Sequence, residues 1–256
     1  MANELRGAEV RLERAHEHIH ALRHESRMFM MELPEAYGWA IDDEPVGLDY
    51  IVRAKILRPP PPRLAILAAD ACHSIRSALD MVAWELALKG DNPPPEDDRS
   101  TGFPICTHDG AWKSRSTDRA IERIRPEAVE VINSFQPYHG PPWHRLALVQ
   151  AIDNWSKHHA IPALMGFHIS RGRLLSPGWE FVSFNQEGAY EHGDEICRVR
   201  RTGHTDPQER FRSIMKVHVG FSKHGPGRGY PIDFLESAYE SIRDQVLPAF
   251  APFFPD

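Results

Sequence analysis

Leu64 to Lys89 reads LAILAADACHSIRSALDMVAWELALK and contains neither proline nor glycine. Leu64, Ala68, Ala71, Ile75, Ala78, Leu79, Val82 and Leu86 step by three and four, the spacing that lines side chains along one face of a helix. The opposite side carries Asp70, His73, Arg76, Ser77, Asp80 and Trp84. A face turned only to water would carry Lys and Glu instead. The helix therefore has two working faces, one for an apolar core and one that meets another polar element.

Upstream, Pro59 to Pro62 form a stiff bracket that leads into this helix. Before them, Leu48–Leu57 changes period: Tyr50, Val52, Ala54 and Ile56 alternate against Arg53 and Lys55, the signature of a half-buried strand. Residues 35–47, with Gly38, Asp42, Asp43, Pro45 and Gly47, read as a loop. A first helix is expected over 3–33. There Leu5, Ala8, Leu12, Ala15, Ile19, Leu22, Ser26, Phe29 and Leu33 keep a three-four alternation, and Pro34 closes it. So narrow a seam points to antiparallel packing on another helix, within the chain or across a homodimer.

Downstream of Gly90 a polar, proline-rich loop leads to the short extended piece Phe103-Pro104-Ile105. Helices follow at 117–125, with Thr117 as cap, and at 126–134, with Pro126 in the first turn. Another helix runs from Trp143 to Ala160, with Leu148, Val149, Ala151, Ile152 and Trp155 on its apolar side. Beyond Pro162 the segments 179–184, 195–201 and 212–221 alternate and are rich in Val, Ile and Phe. They read as one antiparallel sheet that the strand at 48–57 can join. KHGPGRGYP at 223–231 reads as a flexible loop, and a last helix over 231–247 is stopped by Pro248. The reading is a single α+β domain over 1–256, a helical bundle with an antiparallel β-sheet packed against it. The helical core occupies 3–160, and the sheet with the final helix 165–250.

A net charge of −6 and a pI near 6.2 exclude a global pull toward nucleic acid or anionic membrane. No run approaches the roughly 20 apolar residues that span a bilayer. The first residues, MANELRGAEVRLERAHE, lack the apolar stretch of a secretory signal. Cys72, Cys106 and Cys197 are odd in number and form no CxxC pair, which fits free thiols in a reducing compartment. A cytoplasmic protein is expected.

Chemistry concentrates in two places. Asn154, Lys157 and His158 stand at i, i+3 and i+4 and can converge on one anion or base. In the other reading of the same cluster, Asp153 pairs with Lys157 and His158 anchors a loop. On the central helix, Arg76 and Asp80 at i, i+4 suit an ion pair, and Arg76 or His73 can steady a phosphate or move a proton. The alternative is a salt-bridge network joining this helix to Lys157 and His158. Either way, the second face of helix 64–89 is expected to meet the helix of Asn154–His158. His16, His20 and His24 lie one turn apart, but without an HExxH arrangement and among Glu and Arg they read as a solvated face. Gly225–Gly229 lacks the strand and Lys-Ser/Thr context of a phosphate-binding loop. No metal and no cofactor is expected.

The ordered set HSIRSALD at 73–80, FPI at 103–105, QPY at 136–138 and DNWSKH at 153–158 resembles a group of bacterial proteins of unassigned function. Its members read H-N-L-R-S-A-L-D-H-L, F-P-I, Q-P-Y and N-x-D-K-H-R at these places. More distantly, the helical core is similar to HEPN domains, dimeric helical bundles that include metal-independent ribonucleases using an Arg and a His four to six residues later. At the place of that histidine this chain has Met81. The resemblance implies a HEPN-like homodimer with a binding or regulatory role, whose binding residues are His73, Arg76, Asp80, Asp153, Asn154, Lys157 and His158. It also implies an alternative, a ribonuclease of toxin or phage-defence type in which Arg76 steadies the phosphate and His158 handles protons. RNA is the ligand of the ribonuclease reading; a third reading, apart from the resemblance, is a small-molecule-binding protein with a pocket between bundle and sheet.

Overall fold

The computed structural model describes residues 3–32, 37–42, 44–159, 163–174, 178–184, 189–203, 213–221 and 232–254. The fold is α+β. By contact density it divides into one compact unit of residues 1–22, 66–160 and 233–256 and a second of 23–65 and 161–232. Among the described residues no helix is long and apolar enough to cross a membrane.

Two long helices, α1 (Arg6–Glu32) and α2 (Pro62–Leu88), match the two strongest periodic stretches. They pack antiparallel within the chain. Lys89 beyond the end of α2 pairs with Glu4 before the start of α1, and Arg63 in the first turn of α2 pairs with Glu25. The seam of α1 is buried as its spacing requires, from Leu5 through Leu22 and on to Phe29; Leu33 and Pro34 lie outside the described residues. On α2 every residue of the apolar face is buried, and Ala65, Leu67, Cys72, Ala83 and Ala87 are buried beside it. Each fully buried Leu or Ile contributes about 1.5–3 kcal/mol of transfer free energy. The small alanines let neighbouring helices approach closely. Burial holds the Cys72 thiol well above its ordinary range, so it is an inert core group. Cys106 and Cys197 are likewise free and buried.

The first unit also holds the short helices α3 (Asp109–Trp112), α4 (Arg115–Ile121), α5 (Pro126–Ser134) and α6 (His144–Ser156). Pro126 opens α5 as expected. The start of α4 differs from the sequence reading. Ser114 is its cap, its hydroxyl accepting from the Thr117 N–H, while Thr117 sits buried in the first turn. Ser114 and Thr117 are both capping types three residues apart, and the more upstream one takes the role. α6 ends at Ser156 rather than near 160.

The second unit holds two antiparallel sheets where one was expected. β1 (Tyr37–Ile41), β2 (Asp49–Ile56), β4 (Trp179–Phe184) and β6 (Glu195–Arg201) form one in the order β1-β2-β6-β4. β3 (Ala163–Leu174), β5 (Ala189–Tyr190) and β7 (Ser213–Phe221) form the other in the order β5-β3-β7. The strand at 48–57 does join a sheet, pairing Val52 with Cys197. The pairing shifts between Val52 and Arg53, where Ile196 of β6 is the extra residue, and Ile51 is buried beside Val52 and Ala54. The stretch read as a loop at 35–47 contains β1, which pairs Tyr37 with Ile56 and returns through a turn at Gly47, where φ is +70°. A left-handed φ of that kind favours glycine.

The final helix does not stop at Pro248. α7 (Asp233–Ser241) continues through a π-helical turn at Ile242–Val246 into α8 (Leu247–Phe250). Proline cannot donate to the carbonyl one turn back, and the wider turn, in which the Leu247 N–H reaches Ile242 O, carries the chain past that missing bond. The glycine-rich segment 223–231 lies outside the described residues.

Candidate functional site

The second face of α2 is half-open, as its composition requires. Arg76 and Asp80, one turn apart, form an ion pair with Arg76 Nη2 2.6 Å from Asp80 Oδ1. The pair also clasps a backbone. Arg76 Nη1 donates to Phe103 O at 2.6 Å, and the Phe103 N–H donates to Asp80 Oδ1 at 3.0 Å. Gly102 fits against this clasp, since a Cβ there would lie 3.1 Å from Asp80 Oδ1.

The other end of the same segment is held by Gln136, whose side chain is fully buried. Gln136 Nε2 donates to Pro104 O at 3.0 Å and to Ile132 O at 2.9 Å, and its Oε1 accepts from the Cys106 N–H at 2.8 Å. Three of the sequence motifs thus meet in one construction. The Arg76–Asp80 pair grips Phe103, Gln136 grips Pro104 and Cys106, and the extended piece 103–106 is fixed between them. Nothing in the spacing of Gln136 marks this role; its only sequence signal is its place in the QPY motif at 136–138.

Along this segment opens a cleft of about 480 Å³, lined by Arg76, Asp80, Arg99, Thr101, Ser114 and Gln150 together with the apolar edge of Phe103–Cys106. Its volume falls in the range of small-molecule sites. Burial raises the Asp80 carboxyl above the usual carboxylate range, against the opposing pull of Arg76 and of the Phe103 N–H; Asp153 raises it further and Lys157 lowers it. A carboxyl raised on folding binds more protons in the folded than in the unfolded chain between the two values. Its contribution is therefore complete below the unfolded value and declines as pH rises through the folded one. Asp80→Asn is expected to remove that decline, read as a flatter dependence of the urea midpoint on pH from about 4 upward.

A second cluster joins α2 to α6. Asp153 is 1% exposed and receives His73 Nδ1 at 2.9 Å and Lys157 Nζ at 2.7 Å. A carboxylate only accepts, so the tautomer that fits carries its proton on Nδ1. His73 and Lys157 are about half exposed, so the buried charge is neutralised from the solvent side. Asn154 and His158 are not drawn in. Both are exposed, and among the described residues neither side chain makes a hydrogen bond or ion pair; His158 follows the last turn of α6, its backbone N–H bonded to Trp155 O. Met81 points elsewhere: a Cβ on Gly7 of α1 would meet the Met81 methyl at 2.7 Å, which places that side chain on the α1 interface.

His16, His20 and His24 are exposed, and His16 stacks on Tyr239. Among the described residues no group of His, Cys, Asp and Glu is arranged to hold a metal ion. Comparison of the chain with protein-family models, curated proteins and solved structures finds no match.

Proposed function

We propose that this chain is a HEPN-like helical protein with a binding or regulatory role and no catalysis, and that the cleft along residues 99–106 is where it binds. One observation carries the reading: the Arg76 guanidinium is committed to the Asp80 carboxylate and the Phe103 carbonyl. An arginine that steadies a scissile phosphate presents its paired N–H groups to that phosphate. Here one of those groups holds the protein's own backbone at Phe103 O and another holds the Asp80 carboxylate, which offsets the charge. Arg76 is a positioning residue that shapes a cleft wall. His158, the candidate for proton transfer, stays exposed at the end of α6, and Met81 takes the place of the family histidine on the α1 side. Proton transfer needs an acid or base within hydrogen-bond reach of the reacting atom.

The test is incubation of purified protein with mixed RNA, beside Arg76→Ala and His158→Ala. Intact RNA in all three samples is expected. Cleavage by the wild type that both substitutions abolish would overturn the binding reading in favour of the metal-independent ribonuclease.

A further inference from the structure

The cleft presents an imbalance of both charge and hydrogen bonding. Arg76 and Arg99 face it against the single carboxylate of Asp80, whose Oδ1 is already occupied by Arg76 and the Phe103 N–H. Arg99 is exposed, and among the described residues its side chain makes no hydrogen bond or ion pair, so one full positive charge remains uncommitted. Opposite in character is Gln150 on α6. The residue lines the same cleft, and its Oε1 is buried and accepts no hydrogen bond from any described group. A buried carbonyl without a donor lowers stability, and native proteins keep few of them. The two features ask for different things from one occupant: a negative group for the guanidinium and an N–H for the amide oxygen.

We propose that the cleft binds a small organic anion that also carries an N–H donor, with the anion held by Arg99 beside Arg76 and the N–H given to Gln150 Oε1. This rests on the reading of the cleft as a binding site. Carboxylate and phosphate share the required anion chemistry, and matched probes separate them. N-acetylglycine carries a carboxylate and an amide N–H, and N-acetylsarcosine replaces only that hydrogen by methyl. For phosphate, phosphoethanolamine carries an ammonium group, and phosphocholine replaces its three N–H hydrogens by methyl.

The experiment is calorimetric titration of the full chain with each of the four. In at least one pair the N–H member is expected to bind about tenfold more tightly than its methylated partner, the scale of one hydrogen bond to a buried acceptor. Gln150→Met should abolish that preference and at the same time raise the Tm of the free protein, because an unpaired buried acceptor has been removed. A purely structural glutamine would show the opposite change in Tm. Gln150→Glu keeps the acceptor and should keep the preference. Arg99→Ala, at an exposed position, should weaken both members of the pair alike without loss of fold.

The proposal is overturned if neither N–H probe binds at millimolar concentration, or if the preference survives Gln150→Met. It is also overturned if Gln150→Glu loses the preference, since the glutamine would then be serving as a donor. RNA cleavage by the wild type would remove the binding reading itself. Silent titrations with intact RNA would remove only the ligand assigned here.

Discussion

Gln136→Met is expected to cost about 3 kcal/mol or more of folding stability, although the two side chains are close in volume. The substitution removes one amide and leaves two backbone groups without partners, the Cys106 N–H and the Pro104 carbonyl, and it takes one of two donors from the Ile132 carbonyl, which keeps the Phe135 N–H. All three residues are buried, so water cannot replace the lost bonds without opening the core. Urea denaturation followed by circular dichroism measures the loss. Gln136→Glu separates the contributions, since its carboxylate still accepts from Cys106 but donates to neither carbonyl. A loss below about 0.5 kcal/mol for Gln136→Met, typical of a surface change, would mean that the segment is held by other means.

Asp80→Leu is the second large effect, expected at about 3 kcal/mol. It strands the Arg76 guanidinium, whose side chain is 19% exposed, and the N–H of the fully buried Phe103. Arg76→Met leaves the Asp80 carboxylate, which burial already disfavours, without its cation. The double variant removes both members of the pair and is expected to cost less than the sum of the singles by about 1 kcal/mol or more. Additive losses would show that the two side chains act on Phe103 independently.

Much of this was legible in the sequence, for identifiable reasons. A helix of 27 residues, as α2 is, repeats its period often enough to define both an apolar and a polar face, and the second seam on α1 supplied its partner. The Arg76–Asp80 and Asp153–Lys157 pairs follow from i, i+4 spacing alone, and His73 reaches Asp153 because two polar helix faces meet. What periodicity does not encode is the identity of a neighbour. Alternation in 195–201 and 213–221 marks both as strands, but only backbone pairing assigns β6 to β2 and β4, and β7 to β3. β3 carried a usable signal in Met165, Phe167 and Ile169, and β1 had too few residues to show one. Gln136 stands in the QPY motif, but its role there, like that of Gln150, was hidden for a different reason. A single amide has no period, and its importance comes wholly from which backbone groups are brought to it or kept from it.

The position of Met81 has a similar lesson. Five residues beyond Arg76 on a helix is about 140° around the axis, so a residue there is turned well away from the cleft face. Its contact with Gly7 is the consequence.

A binding cleft here requires the segment 103–106 to be a fixed wall, gripped at Phe103 by Arg76 and Asp80 and at Cys106 by Gln136. Residue-resolved amide hydrogen exchange tests this directly. The Phe103 and Cys106 amides are expected to exchange only through global unfolding, as slowly as those in the middle of α2, while the neighbouring exposed Thr107 exchanges freely. Fast exchange at Phe103 and Cys106, matching that of Thr107, would contradict it.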